Sequence, residues 1–250
     1  LNIKQINYSA AYSFADTVVS AVRNPSEIGT GDIIADFFEF RTLNFFEQIE
    51  KPKKYTLLHT FISSVNGFGI QHYLGKVDAE IIISDYGALL DGANIPRPTW
   101  FTEQDVSDHI PELREIMETA TETITEAAFQ LLFADRTFLY EFSLFIQPFI
   151  ARLQPNEHQC IASLGVIKRS YFPVWLKNAV FHRDKGRCQL CGCDLTNILV
   201  PTESRHIDHM VPLNASGTND PTNFQLTCES CNTSKGAQVL ANPHYTYPYW

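Results

Sequence analysis

The first 159 residues contain no cysteine. Of the six in the chain, Cys160 stands alone and five crowd between Cys188 and Cys231. The N-terminus lacks the basic segment and apolar stretch of a secretory signal, so an oxidised disulfide framework is not expected. Clustered thiols in such a chain read as a metal site in a reducing, cytoplasmic setting. No run of about 18 apolar residues occurs, which excludes an expected membrane-spanning helix. Positive charge is also scarce: 19 Lys and Arg face 28 Asp and Glu, a net charge of −9. That balance excludes an enzyme that attracts nucleic acid by overall charge alone. No internal repeat or low-complexity segment is present, so neither a solenoid nor a disordered chain is expected.

What is present is ample apolar material. Hydrophobic residues make up 44% of the 250 residues, and eighteen of these are phenylalanine. A packed core follows. Charge divides unevenly. Residues 1–167 hold 11 Lys and Arg against 22 Asp and Glu, a net of −11. Residues 168–250 hold 8 against 6, a net of +2. The expected organisation is therefore a mainly α domain over 1–167 followed by a small α+β domain over 168–250. In the first domain, apolar residues recur at helical spacing over 10–22, 32–49, 80–90, 113–133 and 138–150. Asp135 precedes the last of these as a cap, and Thr102 is placed to cap a short helix. Residues 55–75 are ambiguous, because Gly67, Gly69 and Gly75 suggest turns. Residues 170–181 form an expected connector helix with Pro173 near its start. The isolated His59, His72 and His109 read as structural or surface residues, and the lone Cys160 as inert.

The chemistry concentrates between residues 188 and 236. Cys188-Gln189-Leu190-Cys191 and Cys228-Glu229-Ser230-Cys231 are two C-x-x-C turns. Each turn lets two sulfurs face one ion, and together they complete a tetrahedral zinc site of four thiolates. Cys193 reads as spare beside them. The 36 residues between the pairs exceed what a plain zinc ribbon needs, so something is held between them.

That intervening segment resembles the HNH endonuclease family, in its ββα-metal, zinc-binding form. The resemblance is carried by Asp208-His209, Met210-Val211-Pro212, Gly217, Asn223, Phe224-Gln225-Leu226, the second cysteine pair, Asn232 and Lys235. It spans roughly residues 181–238, and residues before that are not covered. The resemblance implies a metal-dependent phosphodiesterase, with Zn²⁺ held structurally by Cys188, Cys191, Cys228 and Cys231.

Each implied role has a chemical reason. Imidazole can take a proton at neutral pH, which makes His209 the candidate general base. Asp208 offers a hard anionic oxygen suited to Mg²⁺ or Mn²⁺, and Asn232 a second, neutral one. Asn223 is expected to hold the loop and orient the histidine. Neighbours on a strand face opposite sides, so Asp208 and His209 need a twist to converge. Lys235 and Arg205 are candidate contacts to nucleic acid, with His182, Arg183, Lys185 and Arg187 of undecided role. The expected substrate is DNA, with RNA open.

The acidic domain over 1–167 is expected to meet a protein partner or a second copy of the chain. HNH domains joined to such helical modules suggest an effector of restriction or antiviral defence. The alternative class is a non-enzymatic, zinc-dependent binding module on the same fold. Residues 242–250 close the chain with four aromatics and two prolines, and are expected to lie on this chain's own surface or on a partner.

Overall fold

A computed structural model describes residues 8–25, 45–197 and 204–239. The greater part of the helix expected over 32–49 and the aromatic tail lie outside these residues. The chain divides into two compact units: Leu1–Phe40 with Leu58–Leu132, and Arg41–Leu57 with Phe133–Trp250. The second unit thus takes in two stretches from before residue 167. The break by compactness falls at 132/133, with residues 41–57 threaded back into the C-terminal unit.

The first unit is helical. Its described elements are α1 (Tyr8–Arg23), nearly all of α3 (Leu57–Tyr73), the short α4 (Ala79–Ile81) and α5 (Gly87–Gly92), and the body of α6 (Ile110–Ala134). One π turn, Ile82–Tyr86, joins α4 to α5 without a break. Phe14, Val18, Leu58, Phe61, Ile62, Leu90, Leu113, Met117 and Ile124 are buried in its core. The stretch expected to turn at Gly67 and Gly69 is instead continuous helix. Neither glycine has a positive φ, and burial of Leu58, Phe61, Ile62 and Val65 along one stripe overrides their low propensity. Gly75, at φ +86, sits just beyond the end of that helix. At Gly92 a Cβ would lie 2.5 Å from the Cβ of Ala10, so glycine there lets α1 and α5 approach closely. Of the three histidines of this unit, His59 is buried, His109 half-buried and His72 exposed. His59 stacks on Phe129, His72 on Phe68 and His109 on Trp100.

The second unit is mixed. It comprises α2 (Phe45–Glu50), α7 (Arg136–Ile150), the hairpin of β1 (Ile161–Ser163) and β2 (Val166–Ile167), α8 (Val174–Arg183), β3 (Arg205–His209), β4 (Phe224–Cys228) and α9 (Glu229–Lys235). The Asp135 side chain accepts from the Phe138 amide at 3.1 Å, the cap that starts α7. Pro173 caps α8. β3 and β4 pair antiparallel, with Asp208 opposite Gln225 and His209 opposite Phe224. Their buried face, with Leu176 and Val180 of α8 and the loop residue Leu195, forms one apolar cluster that includes Cys188, Phe224, Leu226 and Cys228. Cys160 is buried in this unit and burial pushes its thiol up to about 11, which leaves it unreactive at neutral pH.

Candidate nuclease and metal site

The site is a strand, a loop, a strand and a short helix, pinned at every joint. β3 ends at His209. A loop with two 3-10 turns, Leu213–Ala215 and Pro221–Asn223, returns the chain to β4. Asn223 is buried and closes that loop from within. Its Oδ1 accepts from the Val211 amide at 2.8 Å, and its Nδ2 donates to Val211 O at 2.9 Å and Thr218 O at 3.0 Å. The loop packs so tightly that a Cβ on Gly217 would fall 1.9 Å from Val211 O. Only glycine fits.

His209 is 7% exposed, against the rings of Phe172 and Phe224. Its Nε2 lies 3.2 Å from Asn219 Oδ1. Asn219 is fully buried, and its amide group is oriented by two backbone carbonyls. Nδ2 donates to Glu50 O and to Lys168 O, both at 2.8 Å. Both amide hydrogens are thereby committed, so Oδ1 can only accept. The His209 proton therefore sits on Nε2, which leaves the Nδ1 lone pair basic. Burial lowers the His209 pKa to about 4, against a smaller upward pull from Asn219, so the ring is neutral at pH 7.

Asp208, one residue earlier, is held by one oxygen only. Gln225 Nε2 donates to its Oδ2 at 2.8 Å, and Lys235 Nζ lies 3.0 Å from the same oxygen. Oδ1 has no hydrogen-bond partner among the described residues. Arg136 of α7 in turn donates to Gln225. Lys235 also donates to His209 O at 2.8 Å, and at 3% exposure its ammonium is turned inward. It ties α9 to the end of β3 and offers no exposed cation to a phosphate. Asn232, half-buried on α9, has no side-chain hydrogen bond among the described residues. Asp208 Oδ1 and the Asn232 side-chain oxygen are hard donors left without a hydrogen-bond partner among the described residues.

A second cluster lies at the other end of the sheet. The sulfurs of Cys188, Cys191, Cys193 and Cys228 lie within 4.8 Å of one another. Tetrahedral zinc with Zn–S bonds of about 2.3 Å needs sulfurs about 3.8 Å apart, and Cys191 and Cys228 are separated by 3.9 Å. The group fits zinc. The Cys231 thiol also lies beside those of Cys228, Cys191 and Cys188, and its amide donates to Cys228 Sγ at 3.4 Å, so five sulfurs crowd the place of one ion. Burial and neighbouring sulfurs raise the pKa of Cys193 and Cys231. A bound cation reverses that and favours thiolate.

Arg183 and Asp184 clamp the cluster's base. They form a buried ion pair with Nε–Oδ1 at 2.7 Å, and Asp184 Oδ2 also accepts from the Leu226 amide at 2.7 Å. Arg183 therefore faces inward, while His182, Lys185, Arg187 and Arg205 are exposed.

The sequence pattern does not single out Asn219, Gln225, Arg136, Cys193 or Asp184 for these roles. Asn219 acts on backbone carbonyls far away in the chain, which leave no side-chain signature. The one signal for it is the polar run Thr218-Asn219-Asp220 between two motif positions.

Fold and donors together define a ββα unit with a cysteine cluster that could bind zinc. Residues 188–238 match the family model of the HNH endonuclease, and the remaining four-fifths of the chain has no family match. No curated protein and no solved structure matches the chain. The match points to a nuclease-type function on nucleic acid. Among the described residues, no helix is long and apolar enough to cross a membrane.

Proposed function

We propose that the protein is a divalent-metal-dependent endonuclease that hydrolyses phosphodiester bonds in DNA. The observation that carries this reading is the His209–Asn219 pair. A neutral imidazole, its tautomer fixed from behind and Asp208 beside it in sequence, stands inside the segment that matches the HNH endonuclease model.

His209 Nδ1 takes the proton of the attacking water, and Asn219 holds the ring so that this nitrogen stays unprotonated. Gln225 and Lys235 fix Asp208 through Oδ2, which keeps Oδ1 turned to its ligand. Asp208 and Asn232 would hold Mg²⁺ or Mn²⁺. Such an ion supplies charge neutralisation at the non-bridging and leaving oxygens. Asn223 keeps the loop closed, so that His209 and Asp208 stay in register. The cysteines hold structural Zn²⁺ and take no part in the reaction.

The acidic helical region is read as the face that meets a partner or a second copy, since its charge repels DNA. A role in cytoplasmic restriction or antiviral defence rests on this pairing of an HNH segment with an acidic helical region.

The test is supercoiled plasmid incubated with the full chain and Mg²⁺ or Mn²⁺. Wild type is expected to nick it and His209→Ala to lose nicking while keeping its zinc. Equal rates for the two proteins would remove His209 from the mechanism.

A further inference from the structure

A cleft of about 420 Å³ opens between α8, β3 and β4. Its floor is apolar, made by Ile207 and Leu226. Its polar walls are Lys177, His182 and Arg205, with Asn178 and the ring of Phe181 between them. Among the described residues no carboxylate lines it. Among the described residues none of these three basic groups pairs with a carboxylate, in a chain whose net charge is −9. Three such groups around one concavity, with no carboxylate in its lining among the described residues, suit it to an anion.

Arg205 is already arranged for such a ligand. Its guanidinium lies over the Phe181 ring, 4.7 Å from the centroid, and its Nη2 donates to Thr196 O at 2.8 Å. Stacking and one hydrogen bond set the plane of the fork and leave its other donors free. Little side-chain freedom is then lost on binding phosphate. The cleft also lies on the same face of β3 as His209. Arg205 and His209 are the two ends of β3, four residues apart on one face of the strand, so about 13 Å separates them. The His209 ring packs on Phe224, which belongs to the same apolar cluster as Leu226 in the cleft floor.

We propose that this cleft grips the phosphodiester backbone of the substrate strand and leads it to His209. The proposal rests on the nuclease reading and adds to it where the strand runs. The contacts are to phosphate, so they position the strand without reading its sequence.

The experiment uses the full chain carrying His209→Ala, so that substrate survives, and a fluorescent DNA of about 20 base pairs in two unrelated sequences. Binding is measured by anisotropy between about 50 and 200 mM salt. Lys177→Gln with Arg205→Gln is expected to weaken binding more than about tenfold at the lower salt. It should lower the slope of log affinity against log salt by about two, equally for both sequences. Lys185→Gln with Arg187→Gln removes the same charge outside the cleft and is expected to do much less. An unchanged slope in the cleft variant, or an equal loss in this control pair, overturns the proposal. So does a parent protein that binds neither DNA.

Plasmid nicking separates this from the nuclease reading. If wild type nicks and the cleft variant keeps the wild-type KM, the cleft is wrong and the nuclease reading stands. If wild type never nicks but the cleft variant loses DNA binding, the nuclease reading is wrong and the cleft stands.

Discussion

At His209, the proposed reactivity rests on a residue that does no chemistry. Asn219 commits both amide hydrogens to Glu50 O and Lys168 O and so presents only an acceptor to the ring. Asn219→Asp keeps an acceptor at that place, whereas Asn219→Leu removes it. The leucine variant is expected to lower kcat at least about tenfold with little change in KM. In nitrogen-15 spectra of the His209 ring, it should lose the single tautomer. A leucine variant with wild-type kcat and an unchanged ring spectrum would reduce Asn219 to a packing residue. His209, Asp208, Asn223 and the cysteines are legible in sequence because a motif of fixed spacing names them. Asn219 is not, because its partners are carbonyls 169 and 51 residues away. Lys235 is legible in position but not in role. Helical spacing places it near Asn232, and only the packed structure turns its ammonium inward onto Asp208 and His209 O.

Among the elements, the end of α8 and the loop around Cys188 are held by a buried charge pair. Arg183 and Asp184 are almost fully buried, so breaking the pair strands a charge. Asp184→Ala is expected to cost about 3–5 kcal/mol and to lower the urea midpoint of the C-terminal unit. A midpoint within error of wild type would show that the pair is not under this constraint. The zinc site gives a sharper comparison. A group that contains Cys193 predicts that Cys193→Ser loses zinc to a chelator faster than Cys231→Ser. The opposite order would restore the pairing that two C-x-x-C turns suggest. Sequence spacing favours Cys231 because it counts residues between thiols. It does not see the turn at Gly192, φ +77, that brings Cys193 back to Cys188. The helices of the first unit are legible for the opposite reason: their apolar stripes are long, and 113–133 widens only slightly to Ile110–Ala134.

For the whole molecule, buried titratable groups predict a response to acid. His59 and His209 each have a folded pKa lowered to about 4 from 6.5, chiefly by burial. Their contribution is fully present above about pH 6.5 and is lost as pH falls toward 4. Asp220 runs the other way. Burial raises its pKa to about 6 despite donors from Leu57 and Thr222. Its contribution is present below about pH 4 and is lost as pH rises through 6. Two histidines outweigh one aspartate, so the protein should weaken between about pH 6.5 and 4. His59→Phe, which keeps a ring on Phe129, should narrow the difference between urea midpoints at about pH 7.5 and about pH 5. An equal difference in the variant would place the acid response elsewhere.

The position of Asn219 has one more consequence, for the order in which the chain is made. The carbonyls of Ile49 and Glu50 that receive it belong to residues synthesised early, and His209 emerges roughly 160 residues later. A long loop must close before the imidazole is held. A ribosome-bound chain therefore carries no assembled nuclease until translation has passed β4 and α9. For the same reason, residues 168–250 transplanted into another protein should keep the zinc turns and lose the oriented base. Plasmid nicking by that fragment at the full-chain rate would show that the early segment is dispensable. The gene thus encodes one support of the proposed base far upstream of it, and on the nuclease reading a fragment missing either stretch is expected to leave nucleic acid uncut.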